Sequence, residues 1–378
     1  MTYKKKHDIL RFNLIAILTI KHIFVLSIKL FVSKIKMNAT YYKTKFGQML
    51  FGDSSKIIRE DLLKKYKHKV QLIITSPPFP LNSKKKYGNL QGEPYKEWFA
   101  SLAPLYADLL TDDGSIVIEI GNSWEPNRPV QSILHLESLL AFMKAANLNL
   151  IQEFICYNPS RLPSPANWVT VNRIRTVDCY THVWWLSKSD YPKADNRKVL
   201  RPYSQGMMNL IKRQSYNTGK RPSGHSIGKT SFLKDNGGGI AHNLLEFEPI
   251  EDKRINRLPN NISEFINLSD NPDLPSNVLS ISNTNSSDYY SVKCRELGIK
   301  RHPATMQPGL IAFFTQFLTD ENDLILDPFG GSNTTGYIAE KLKRKWFSIE
   351  IMEEYIQQSI HRFQEPNLDS NLKIVNKK

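Results

Sequence analysis

The stretch Asp327-Pro328-Phe329-Gly330-Gly331-Ser332-Asn333-Thr334-Thr335-Gly336 follows the apolar run Leu324-Ile325-Leu326 and opens a helical pattern over 334–342. Strand, glycine-rich turn and helix in this order are how doubly wound α/β folds hold a nucleotide-like ligand. Glycines let the backbone approach the ligand, and the free N–H groups of the helix start donate to it. The next apolar run, Lys345–Ile349, ends in Glu350. That is where an acid grips a ribose diol in such folds. A glycine-rich turn alone is also an ordinary structural cap. Asp327 before it and Glu350 after it favour the ligand site.

The same rhythm extends outward. Strands are expected at 49–51, 70–75, 115–120, 148–156, 181–187, 323–326 and 346–350, and helices at 55–66, 94–110, 130–146, 308–318, 334–342 and 353–362. Residues 111–114 read as a turn. Repeated strand–helix alternation argues for an α/β fold with a mostly parallel sheet covered on both faces. Residues 191–300 break the pattern: they are rich in Ser, Asn, Gly and Pro, and their periodicity is weak. They read as an insert within one sheet-based domain.

The chain has 378 residues, 51 Lys+Arg against 36 Asp+Glu, and three cysteines. Its aromatic content rules out wholesale disorder, and its cysteine count rules out a disulfide scaffold and fits a reducing, cytoplasmic compartment. No Cys/His ligand spacing supports a metal site. A net charge of +15 suggests an anionic partner. Residues 1–36 hold eight of the Lys/Arg and one acid, Asp8. They are rich in Ile, Leu and Phe, but Lys21 and Lys29 break the apolar run below the length of a spanning helix. The segment reads as an interfacial helix or as an extension upstream of Met37, and a membrane tether rests on it alone.

A second motif, Thr75-Ser76-Pro77-Pro78-Phe79, ends the strand Leu72-Ile73-Ile74. Two prolines offer carbonyl acceptors without N–H donors in a rigid turn, a serine hydroxyl adds another acceptor, and Phe79 adds a flat face. Such a set suits an exocyclic amine. The N4 lone pair of cytosine is delocalised into its ring, and acceptors that bind the amine hydrogens free it to attack an aligned electrophile. Pro-Pro after a strand also simply ends strands. The pairing of the two motifs decides between these readings.

Together the motifs resemble those of the amino-group DNA methyltransferases, which use S-adenosylmethionine. Ser-Pro-Pro-Phe is the variant associated with cytosine-N4 methylation. Catalytic motif first, variable middle and cofactor motif last is that family's permuted β-group order. Lys84–Asn89, Asn158–Pro165, Arg221–His225 and Asp235–Gly238 are similar to one branch, the PvuII-like modification enzymes, and the resemblance spans about residues 46–363.

The resemblance implies a Rossmann-like methyltransferase fold with catalytic residues Ser76, Pro77, Pro78 and Phe79. It implies that Asp327, Phe329, Gly331, Ser332 and Thr334 wrap the methionine part of the cofactor, that Glu350 holds the ribose, and that Asp53, His302 and Pro303 lie nearby. Asn333 stands where many relatives have a third glycine, and Asn is the next best residue for a left-handed backbone. Met306-Gln307 stands where Phe-Pro is common. Residues 37–190 are then the catalytic part, 191–300 the target-recognition region and 301–378 the cofactor-binding part. Phosphate contacts are expected from Lys84, Lys85 and Lys86, so that binding weakens with salt, and sequence readout from 191–300, with Lys212, Arg213, Lys220, Arg221, Lys229 and Lys234 as the candidate DNA-binding residues.

The expected partners are double-stranded DNA and, functionally, a cognate restriction endonuclease. Adenine-N6 methylation and a catalytically silent DNA binder remain open. A cytosine-C5 mechanism does not: none of Cys156, Cys179 or Cys294 follows a proline.

Overall fold

The computed structural model describes residues 39–80, 90–158, 161–246, 288–366 and 368–375. The leader 1–36 and Lys84–Lys86 lie outside them. Twelve strands occur among the described residues: β1 (Ala39–Lys43), β2 (Gly47–Phe51), β3 (Val70–Thr75), β4 (Leu110–Gly121), β5 (Asn149–Tyr157), β6 (Tyr180–Ser187), β7 (Gly219–Lys220), β8 (Ser226–Ile227), β9 (Leu244–Glu246), β10 (Leu324–Asp327), β11 (Lys345–Glu350) and β12 (Lys373–Ile374). Ten form one sheet in the order β12-β1-β2-β11-β10-β3-β4-β6-β5-β9, and β7 and β8 form a separate ribbon. From β2 to β4 the pairing is parallel; β6 runs antiparallel to both β4 and β5.

The central strands read as near-continuous apolar runs because both of their faces are covered. Their two-residue alternation assigns each side chain to a layer. Leu72, Ile74, Ile325 and Trp346 face one layer, with α6 (Pro308–Leu318), α7 (Thr334–Lys341) and α8 (Glu353–Ser359). Ile73, Leu326 and Phe347 face the other, with α1 (Ser54–Ile57, continued by a π turn into Leu63–Tyr66), α2 (Gly92–Leu109) and α3 (Leu134–Ala146). The helix after β10 therefore lies on one face and the helix after the neighbouring β3 on the opposite one. A crevice opens between such strands at their C-terminal ends.

Two expectations of local structure are corrected. Residues 111–114 are strand, because β4 runs unbroken from Leu110 with a register shift against β3 between Val70 and Leu72. α3 starts at Leu134, because Gln131 bridges back to Trp124 and holds the preceding residues extended. Short elements absent from the sequence reading also appear: β9 and β12 at the sheet edges, β1 beside β12, α4 (Gln205–Arg213) and α5 (Tyr289–Glu296).

Candidate active site

A cavity of about 640 Å3 lies at the C-terminal ends of β2, β3, β10 and β11. All four residues Ser76–Phe79 line it, and so do Asp327, Phe329, Gly331, Ser332, Thr334 and Glu350. Asp53, His302 and Pro303 complete the same wall, although 249 positions of sequence and the whole variable middle separate Asp53 from His302. Thus the two motifs, far apart in the chain, share one space.

Asp327 joins them. Its buried carboxylate accepts hydrogen bonds from Thr75 Oγ1 (2.8 Å), Thr335 Oγ1 (2.6 Å) and the Phe329 N–H (3.1 Å). Thr75 immediately precedes Ser76, and Thr335 is in the first turn of α7, so one carboxylate ties the Ser76–Phe79 turn to the glycine-rich loop. Burial pushes the Asp327 carboxyl above its ordinary range, and the three donors oppose that rise.

The glycine-rich loop is set by backbone geometry. Asn333 is left-handed (φ 54°) and caps α7: its Oδ1 accepts from Gly336 N–H (2.9 Å) and Ser348 Oγ (2.6 Å), while Nδ2 donates to the Tyr42 hydroxyl (2.8 Å). An asparagine thus supplies both the turn and the cap. Gly331 is also left-handed (φ 50°), and any Cβ there would sit 3.3 Å from the His302 ring. Beneath the loop, Arg362 donates from Nε to the Ser332 carbonyl (2.8 Å) and from Nη2 to its hydroxyl (3.1 Å). Its guanidinium lies 4.0 Å from the Tyr290 ring centre and 3.7 Å from Asp288. Arg362 gave no signal in the sequence, where a basic residue in a final helical turn reads as a solvated end.

Glu350 accepts from the Gly331 N–H and the Met352 N–H, both at 2.8 Å. A third backbone N–H, that of Ile351, also faces this carboxylate. Burial raises the Glu350 carboxyl, against the pull of those donors. His302 packs edge-on against Tyr355 at 4.2 Å, and its Nδ1 accepts from the Ala304 N–H (3.3 Å). Burial lowers its imidazole to about 4, so it is neutral at physiological pH. Asp53 lines the cavity while capping α1 through Lys56 N–H (3.0 Å).

Among the described residues the lining has three acids and no Lys or Arg, in a chain of net charge +15. A glycine-rich turn without a cation is poorly suited to a polyphosphate. A ligand combining hydroxyls, a flat ring and a positive centre would suit the Glu350 carboxylate, the aromatic and aliphatic walls and the acidic lining.

At the Ser76–Phe79 turn, the Ser76 hydroxyl bonds Glu119 of β4, which also accepts from Thr181 Oγ1 (3.0 Å). Burial raises the Glu119 carboxyl, and these bonds oppose the rise. The Pro78 carbonyl is already bonded, by the hydroxyl of fully buried Tyr95 (2.9 Å). Trp98, one turn along α2, lines the cavity and packs against Phe329 (5.8 Å between ring centres). On the far side Phe79 rests on Gly121, where a Cβ would approach its ring to 2.5 Å. Trp98 reads in the sequence only as part of the apolar face of the helix expected at 94–110, and Tyr95 carries no signal of its own there. Glu119 carried a faint signal, as an acid in the otherwise apolar run Ser115–Ile120.

Arg221 is not brought to the cavity: it is exposed on the β7–β8 ribbon and donates to the Asn217 carbonyl. Lys212 and Arg213 lie in the last turn of α4. No group of His, Cys, Asp and Glu among the described residues forms a metal site. Cys156 is buried, and its thiol is pushed up to about 12 by burial. No described helix is long and apolar enough to cross a membrane.

A family profile described as DNA methylase matches residues 70–361. Type II methyltransferase M.PvuII of Proteus hauseri is 39% identical over 334 residues, 88% of this chain and 86% of that protein. Type II methyltransferase M2.LlaDCHI of Lactococcus lactis subsp. cremoris is 40% identical over 57 residues, 15% of this chain and 21% of that protein. Among solved structures, PvuII DNA methyltransferase, described as cytosine-N4-specific, superposes with a TM-score of 0.62 at 32% identity, covering 87% of this chain and 90% of that one.

Proposed function

This chain belongs to the DNA methylase family, and from that premise we propose that it methylates N4 of cytosine at a specific site in double-stranded DNA. It is an S-adenosylmethionine-dependent DNA methyltransferase. The choice of cytosine N4 rests on the Ser76-Pro77-Pro78-Phe79 turn facing the same cavity as the glycine-rich loop. We further propose that it acts in the cytoplasm, protecting DNA from a cognate restriction endonuclease, and that 191–300 carries target recognition.

The cofactor supplies an electrophilic methyl group. Asp53, Glu350, His302 and the 329–334 backbone would hold it, and the neutral imidazole of His302 adds no repulsion toward a cationic ligand. The chain's remaining task is to present an amine. With the Pro78 carbonyl anchored by Tyr95, the Ser76 oxygen and the Pro77 carbonyl are the acceptors left to take the two amine hydrogens. Phe79 offers a face for the base. As the nitrogen forms its new bond it must lose a proton; Ser76, bonded to Glu119, supplies a route away from the reacting atom. Holding both partners in line removes an entropic barrier without any covalent enzyme intermediate.

Nucleoside mass spectrometry of DNA treated with the purified protein and labelled S-adenosylmethionine tests the assignment. N4-methylcytosine is expected; N6-methyladenine overturns the base, and no label overturns the activity. On the cofactor side, Arg362→Met orphans the Ser332 carbonyl and loosens the loop. It should raise the cofactor Kd by about tenfold, roughly 1.4 kcal/mol. Calorimetry measures this, and an unchanged Kd would show that Arg362 does not support the site.

A further inference from the structure

We propose that the loop of residues 161–177 is a wedge that enters the DNA stack beside the flipped base. The inference rests on the reading of this protein as a duplex DNA methyltransferase. A base inside a duplex must leave the stack before its amine is reached, and an apolar side chain inserted into the vacated space offsets the lost stacking.

The loop is in the right place. The cavity lies at the C-terminal ends of the parallel strands, and the direction of β5 and β6 brings the ends of this loop to the same edge. β6 enters the sheet two strands from β3, the strand that carries the catalytic turn, roughly 10 Å at ordinary strand spacing. β4 connects them directly: Gly121 supports Phe79, and the next residue, Asn122, donates to Asp178 at the foot of the loop (2.9 Å).

The loop is also built to present its tip. Asn158 N–H donates to the Cys179 carbonyl (2.7 Å) and Arg161 to the Tyr180 carbonyl (2.6 Å), closing the neck. Ile174 N–H donates to the Trp168 carbonyl (3.0 Å), and the Arg175 guanidinium lies 3.5 Å from the ring centre of Trp124. On this fixed frame Leu162, Val171 and Ile174 are 80%, 71% and 61% exposed. Of the three arginines in 161–177, Arg161 faces Asp178 at the neck (4.0 Å) and Arg175 donates to the Pro129 carbonyl, while Arg173 is exposed between Val171 and Ile174, so a cation stands beside the apolar tip. Duplex DNA is the occupant that matches both properties: phosphates for the arginine and stacked bases for the apolar tip.

The test uses V171A/I174A in the full chain, with two duplexes bearing the methylated site. One is fully paired, and the other has an abasic position opposite the target base, which makes extrusion easy. The variant should lose at least about tenfold in kcat/KM on the paired duplex and stay within about threefold of wild type on the second. Equal loss on both would mark an ordinary DNA contact, and no loss on the paired duplex would show that the tip is not inserted; either result overturns the wedge. A wild type inactive on both duplexes would instead overturn the underlying function. Unchanged cofactor binding by calorimetry verifies that the variant is folded.

Discussion

Asp327→Ala is expected to reduce methyl transfer by at least about a hundredfold, because three donors that now converge on one buried carboxylate lose their acceptor. Each orphaned donor costs about 1–3 kcal/mol, partly offset by removal of a buried charge, so thermal stability should fall as well. Two gentler variants separate the functions of the joint. Thr75→Val breaks only the link to the catalytic turn: turnover should fall at least about tenfold while the cofactor Kd stays within about twofold. Thr335→Val breaks the link to the cofactor loop and should act chiefly on that Kd. Initial rates with tritiated cofactor and calorimetry read the two effects. If Asp327→Ala kept turnover within a few fold of wild type, the carboxylate would not be setting the register of the two motifs.

Gly121→Ala should produce the second large effect, by way of Phe79. The new methyl group would sit 2.5 Å and 2.7 Å from two ring carbons, well inside contact distance. The ring lines the cavity, so it is displaced toward the space where a base would stack. Overpacking of this kind costs about 1–3 kcal/mol. We expect kcat/KM for DNA to drop about thirtyfold, with cofactor binding unaffected. Phe79→Leu removes part of the offended ring, so the double variant should be less impaired than the product of the single effects. Independent, multiplying losses would show that Gly121 acts by some other route.

Much of this site was legible because its lining comes from short contiguous motifs at strand ends. The thirteen residues expected to form the catalytic turn and surround the cofactor all line one cavity. Asn333 was also readable, since a left-handed position accepts few residues besides glycine. What stayed hidden is contributed across the fold. Thr75 meets Asp327 only because β3 and β10 are neighbours, a pairing across 252 positions that no local pattern encodes. Tyr95 and Trp98 satisfy the periodicity of any amphipathic helix. Arg362 looks like an ordinary helix end until Ser332 is placed above it. The edge strands β9 and β12, of three and two residues, are too short to show alternation.

The sheet order also dictates when the enzyme can come into being. β10 and β11 follow all the other long strands in the chain, yet they fill the centre of the sheet, between β2 and β3. A nascent chain emerging from the ribosome must carry β2 and β3 with open edges until the later pair is made, and such edges invite wrong partners. Closing so long a loop before the central pairing forms makes folding slow. No methyl-donor site exists on a partial product, because half of its wall is still untranslated. A chain that stops before β10 therefore lacks both strands that carry the glycine-rich loop and Glu350.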